Sequence, residues 1–319
     1  MFLSPIPMEE LDGNLCMQSS YWARLKEKHG WEAYAFRMRK STLLVLVRRF
    51  LRFFTFAYVP FGPQEDVDLS RLSRQLVPFL PKHLFVIRYD LPYGSGAEGR
   101  SLVVQQESVQ PDATVVIDLK PGYETVCSGY RQRARRALQK SKDRVLVKLW
   151  DGDEETFRQW YGVYLETGSR DGFSTRSEAY LRDVLSLSDA KVESRLFVAW
   201  RDGKVVGGTI LLANQREAIY LFGASKRMPD CTCSYALQDA MIQYSIQTGR
   251  TVYDLFGVSG NDGRGSHLAS LDLFKTAFGG RRIARRPTCD WPADRLVYAL
   301  FSSAEKIRYR HSRGASPRQ

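Results

Sequence analysis

The run RLFVAWRDGKVVGGTILLANQREAIYLFGAS, Arg195 to Ser225, limits the fold more than any other stretch of the chain. Three β-rich segments follow one another with only Asp202-Gly203 and Asn214-Gln215 as joins, and such short polar joins turn a chain back on itself. The next segment, SYALQDAMIQYSIQTGR, has helical length and is stopped by Gly249. TVYDLFGV then reads as a further strand. A strand meander, a helix and a returning strand together predict a mixed sheet with helices against it.

The first part of the chain repeats the style. SSYWARLKEKHGWEAY reads as a helix behind a Ser cap that ends at Gly30. Leu43 to Val47 and Phe53 to Val59 are β-rich. They sit in LLVLVRRFLRFFTFAYV, which Arg48, Arg49 and Arg52 interrupt too often for a membrane span. It reads as two adjacent strands with a basic join. Leu69, Leu72, Leu76 and Val77 have helical spacing. HLFVIRYDLPYGSG is a strand that breaks after Asp90, and GSGAEGRSLVVQQESVQPD reads as a linker. ATVVIDL is a strand, Pro121 to Lys142 a helix and RVLVKLW a strand. A long helix follows, with Phe157, Trp160, Tyr161, Tyr164 and Leu165 on one face. A chain of 319 residues, 44% hydrophobic, has room for two such units. The expectation is an α/β chain with mixed sheets, divided into 1–118 and 119–284. No charged heptad run interrupts 119–284, so no coiled-coil arm is expected.

Charge points to the partner. Lys and Arg number 47 against 35 Asp and Glu, a net +12. That balance favours a polyanion: nucleic acid, a phosphate-rich substrate or anionic headgroups. YRQRARRALQKSK places Arg131 and Arg135 on one helix face and Arg136 and Lys140 on another, like charges that a phosphate backbone would relieve. Five cysteines form no framework, and Cys231-Thr-Cys233 lacks the spacing of a zinc knuckle or a redox motif. No structural metal is expected. MFLSPIPMEELDG is no secretory signal. The expected setting is the reducing cytoplasm.

The strand trio resembles the centre of the GNAT acyltransferase fold. That family holds the CoA pyrophosphate on a Gln/Arg-x-x-Gly-x-Gly/Ala turn, but here LFGAS is followed by KRMPDCTCSYALQDA. The resemblance therefore implies a GNAT-like sheet without CoA. Nearly the whole chain resembles the FemABX family, the aminoacyl-tRNA-dependent transferases that build peptidoglycan cross-bridges. The segments that carry this, in order, are QSSYWARLKEKHGWEAY, LLVLVRR, FAYVPFGP, VIRYD, TVVIDL, RQRARRALQKSK, YLETGSRDGFSTRSEAYL, IYLFGAS, YDLFGVSGND and LDLFKTAFGG.

The resemblance implies two GNAT-like domains, with 285–319 returning to complete the first. It implies that Phe274 helps order the reacting carbonyl and that Lys275 holds phosphate at the tRNA acceptor end. Lys26, Arg176 and Tyr180 would grip the acceptor, and Asp90 would lie near its amine. Tyr220 and Phe222 would line the site, Phe222 standing where a family tyrosine can occur. The implied function is transfer of an amino acid from aminoacyl-tRNA to the side-chain amine of a peptidoglycan precursor, lipid II or a UDP-linked muropeptide. The donor ester is already activated, so no cofactor and no covalent nucleophile are expected. The enzyme would be a monomer, with contact at the inner membrane leaflet through Arg48, Arg49 and Arg52. Asp90, its pKa raised by burial, and a proton shuttle within the substrate both remain as carriers of the proton, with backbone N–H groups near Phe274 as oxyanion donors. Two other readings stay open: an acyl-CoA-dependent N-acyltransferase, and a tRNA-binding protein without activity.

Overall fold

The structure is a computed structural model, described for residues 3–51, 53–105, 108–260 and 268–314, apart from the side chains of Ser270 and residues 308–314. Arg52, most of the glycine-rich loop after Ser259, and the last residues of the basic tail lie outside the described residues.

The chain divides into two units. One comprises Met1–Asp12, Met17–Gln110 and Arg285–Gln319, the other Gly13–Cys16 and Pro111–Ala284. The division after 110, rather than the expected 118, follows from strand Ala113–Asp118. It pairs with Val252–Asp254 on one side and Arg281–Ala284 on the other, so it belongs to the second sheet.

In the first unit seven strands run in the order Ser4–Pro5, Glu32–Arg37, Thr42–Phe50, Phe54–Val59, Leu84–Tyr89, Cys289–Pro292 and Val103–Val104. The apolar run with its basic join is the hairpin Thr42–Phe50 and Phe54–Val59, paired Phe50 to Phe54. Phe54–Val59 and Leu84–Tyr89 pair in parallel. A parallel pair needs a crossover, which helix Leu69–Leu76 supplies, burying Leu69, Leu72 and Leu76. Helix Ser20–Lys28 starts as its sequence predicts, with the Ser19 side chain accepting from the Trp22 N–H at 3.2 Å.

Strand Cys289–Pro292 enters this sheet between Leu84–Tyr89 and Val103–Val104. Buried ion pairs hold it there. Asp290 takes the Arg88 guanidinium on both oxygens, at 2.8 and 2.9 Å. Glu305, on helix Arg295–Gly314, takes the same guanidinium at 2.9 and 2.8 Å. Burial works against the Arg88 charge, but the bonds to Glu305 and Asp290 outweigh it and raise its pKa.

The second sheet runs Arg281–Ala284, Ala113–Asp118, Val252–Asp254, Glu217–Ser225, Lys204–Ala213, Glu193–Arg201, Leu146–Leu149. The strand trio is the antiparallel meander its turns predict. Glu217–Ser225 and Val252–Asp254 are parallel, joined through helix Cys233–Gln247. Each unit therefore combines an antiparallel meander with one strand–helix–strand crossover.

Two readings are corrected. The expected helix from Pro121 to Lys142 is two, Tyr123–Ser128 and Gln132–Ser141. The break comes at Gly129, whose N–H turns back to three carbonyls of the first helix, and the Arg131 N–H leaves to bond Ala277 at 2.8 Å. On helix Glu154–Asp171, Phe157, Trp160 and Tyr164 are buried but Leu165 is exposed. The longest helix described between 119 and 284 is this one, at 18 residues.

Gly279 has φ 78° and ψ −145°, a conformation essentially confined to glycine, and a Cβ there would lie 2.9 Å from the Gly129 carbonyl oxygen. Gly279→Ala is expected to cost about 2–4 kcal/mol. Urea unfolding measures it, and a loss near zero would show that this junction adapts.

Candidate active site

In the second unit the strand Glu217–Ser225 is irregular. Its register with Lys204–Ala213 shifts between the pairs Gly208–Ala224 and Ile210–Leu221. Phe222 sits in that bulge at φ 47°, a left-handed conformation costly for a bulky residue. Gly223 beside it leaves room for the Tyr220 ring, which an added Cβ would strike. The bulge thus aims aromatic side chains where a regular pleat would not.

Around it the structure gathers five of the residues singled out from the sequence. The Tyr180 ring meets the Phe222 ring edge-on, centroids 6.1 Å apart. Exposed Arg176 lies over Tyr180 at 5.4 Å. Ser177 caps helix Glu178–Ser186 by accepting from the Tyr180 N–H at 3.3 Å, which fixes where Tyr180 starts its turn. Burial raises the Tyr180 and Tyr220 phenols to about 12. The Lys275 ammonium lies 5.4 Å from the Tyr220 ring.

Lys275 is buried, and its Nζ donates to the Phe256 carbonyl and, at 2.6 Å, to the Gly257 carbonyl. Phe256 has φ 47°, and its N–H donates to Asp254 Oδ1 at 2.7 Å. The Asp254 carboxylate is itself buried and takes the Thr114 hydroxyl. A carboxylate on one side and an ammonium on the other therefore hold the strained residue at the end of strand Val252–Asp254. Desolvation lowers the Lys275 pKa to about 8, against the opposing pull of Asp254 and Asp272. Burial raises the Asp254 pKa. The aromatic-lysine pair is thus split in role. Phe274, half-buried, packs against the core, edge-on to Tyr235 and Phe278 at 5.0 and 5.7 Å. It stands in the last turn of helix Ala269–Lys275, where N–H groups close the helix's own bonds rather than serving an oxyanion.

Lys26 and Asp90 belong to the first unit. The Lys26 ammonium stands 4.5 Å over the Trp22 ring. Asp90 is wholly buried, accepting from Tyr58, from Thr288 and from Arg285 at 3.1 Å. Burial, followed by the Asp90 charge, raises the Tyr58 pKa. An ammonium reaching Asp90 would have to displace one of these donors.

The "Acetyltransferase (GNAT) domain" family model matches residues 128–265. The UDP-N-acetylmuramoylpentapeptide-lysine N(6)-alanyltransferase of Weissella viridescens is 27% identical over 245 residues, 70% of this chain and 71% of that protein. The crystal structure of FemX superposes with a TM-score of 0.75 at 15% identity, covering 95% of this chain and 100% of that one. The C-terminal domain of a putative lysylphosphatidylglycerol synthetase from Agrobacterium fabrum follows at 0.56 and 12%, covering 89% and 90%. The chain is FemX-like. The likeness read from its sequence stands, and so does the mixed α/β fold of GNAT type.

Within this FemX-like chain, helix Cys233–Gln247 begins without a glycine turn ahead of it. Asp230 stands just before it, paired with Arg201 at 2.6 Å and Arg144 at 3.1 Å. Arg131, Arg135, Arg136 and Lys140 are all exposed. No group of three or more His, Cys, Asp or Glu side chains among the described residues is placed to hold a metal ion. Sequence reading missed Asp254 and Arg285, buried charges that look like surface residues in a string of letters. The signal for Asp254 was its place at the end of an apolar strand.

Lys275 makes a pH prediction. Its folded pKa of about 8 lies below the ordinary 10.5, so between those values the unfolded chain binds more protons and stability rises with pH. From pH 7 to 9.5 the protein is expected to gain about 2 kcal/mol more than Lys275→Met, read by urea unfolding. Parallel pH profiles would show that the buried ammonium is not strained.

Proposed function

We propose that this chain is an aminoacyltransferase that moves an amino acid from aminoacyl-tRNA to the side-chain amine of a peptidoglycan-precursor stem peptide. What carries the reading is the combined likeness to the Weissella alanyltransferase in sequence and to FemX in fold. The amine attacks the ester carbonyl, the tetrahedral intermediate expels the ribose oxygen, and the proton given up by the amine is taken by that oxygen. The donor arrives activated, so the proposal includes no cofactor. Positioning then supplies roughly 7–11 kcal/mol at the upper end.

The roles follow the geometry. Lys275 holds the Phe256–Gly257 turn and sets a positive charge beside Tyr220. Arg176 over Tyr180 offers an exposed guanidinium to acceptor phosphate. Lys26, in the first unit, is proposed as a phosphate contact of its own. The exposed Arg131, Arg135, Arg136 and Lys140 support contact with RNA, whose binding weakens with salt. The match to the GNAT model favours one rival, an acyl-CoA-dependent transferase; the lack of a glycine turn ahead of helix Cys233–Gln247 speaks against it.

The test mixes the protein with pooled charged tRNA and a muropeptide bearing a side-chain amine, soluble or lipid-linked, with a parallel RNase-treated tube. The acceptor is expected to gain one amino-acid residue mass only without RNase. Lys275→Ala is expected to slow transfer about 100-fold. No gain with any acceptor overturns the proposal, and an acyl product formed with acyl-CoA installs the rival.

A further inference from the structure

Helix Arg295–Gly314 is apolar on two sides. One side is explained: Tyr298, Val297 and Phe301 pack on Phe85 and Val86, and Glu305 pairs with Arg88. The other carries Leu296 at 82% and Leu300 at 75% exposure, with Ala304 exposed below them. These positions, four apart, form one stripe along the helix. Beside the helix, the turn of the hairpin Thr42–Phe50 and Phe54–Val59 holds up Leu51 at 68% and Phe53 at 72%. The Phe50 ring meets Phe301 edge-on at 5.7 Å, so turn and helix adjoin within the first unit.

Two large apolar features projecting side by side are not a solvated surface by default. Their rim is cationic: Arg48, Arg49, Arg295 and Lys306 are exposed. From Arg295 onward the sequence also has Arg308, Arg310, Arg313 and Arg318, and its single acid, Glu305, is spent on Arg88. We propose that the turn Phe50–Phe53 and the Leu296–Leu300 stripe form one docking surface for an anionic lipid bilayer, entered by the apolar side chains and flanked by the basic ones. This is the chemistry of interfacial helices. A second copy of the chain fits worse, because a two-fold contact would press the cationic rim against itself. A duplex polyanion fits worse too, because its phosphate backbone gains nothing from exposed Leu side chains. No described helix is long and apolar enough to cross a membrane, so the contact is peripheral. The inference extends the transferase reading toward a lipid-linked acceptor, but its test involves no transfer, so either can fail alone.

The measurement is co-sedimentation with phosphatidylglycerol-containing vesicles and with pure phosphatidylcholine vesicles, at low and high salt. The expected result is binding to the anionic vesicles that falls about tenfold or more in Leu296→Ser/Leu300→Ser and in Phe53→Ser. Added salt and Arg48→Gln/Lys306→Gln are expected to weaken it as well. Thermal melts confirm that the variants fold. Absence of binding to anionic vesicles overturns the proposal. So does undiminished binding by both apolar variants, which would mean that charge alone attracts the protein. Sedimentation showing a wild-type dimer that Leu296→Ser/Leu300→Ser dissolves would assign the surface to a second copy instead.

Discussion

The guanidinium of Arg88 stands near the end of strand Leu84–Tyr89 with carboxylates from two later segments closed around it. Asp290 arrives on the neighbouring strand and Glu305 on the C-terminal helix. Leaving any of these charges alone in the core costs about 3–5 kcal/mol, so the arrangement is all or none. Arg285 and Asp90 make a second wholly buried pair in the same unit. These pairs fix the register of Cys289–Pro292 against Leu84–Tyr89. They also set the helix Arg295–Gly314 on its sheet, so its apolar stripe is presented on a rigid element.

The second unit uses buried charge differently. There it steadies unusual backbone. Phe256 and Phe222 both adopt left-handed conformations that bulky residues avoid. Phe256 is gripped at its N–H by Asp254 and at its carbonyl by Lys275. Phe222 is carried by the bulge and backed by Tyr180. Conformations of this kind persist only where the surroundings over-determine them; Phe222 lies two residues from Tyr220, and Phe256 accepts from the ammonium that stands 5.4 Å from the Tyr220 ring. A lysine whose pKa is lowered by burial beside such a turn is what a reaction that develops charge at a carbonyl can use.

Much of the fold was legible because it rests on local rules. Asp202-Gly203 closes a hairpin by its turn chemistry, Ser19 starts a helix by capping, and Gly249 ends one. What escaped reading depends on distant partners. Gly129 interrupts the basic helix, and the Arg131 N–H then finds Ala277 far along the chain. Leu165 shares a helical face with Tyr161 by spacing, yet it lies beyond the reach of the sheet. Phe274 and Lys275 were singled out by the resemblance. That Phe274 packs against the core while Lys275 turns to the loop carbonyls is set by Tyr235 and Phe256, which no spacing reveals. Glu217, half-buried with a pKa raised to about 7 chiefly by desolvation, reads in the sequence as one more polar residue beside a turn.

The order of strands along the polypeptide has a consequence for biosynthesis. Every strand of the second sheet, from Ala113–Asp118 to Arg281–Ala284, is translated before Cys289–Pro292, the inner strand that the first sheet still lacks. The middle of the chain can therefore acquire its core on the ribosome, while the amino-terminal portion waits with Arg88 unneutralised and the edge of Leu84–Tyr89 open. An unpaired strand edge is the part of a nascent chain most prone to associate wrongly, and here it stays open until translation has passed Pro292.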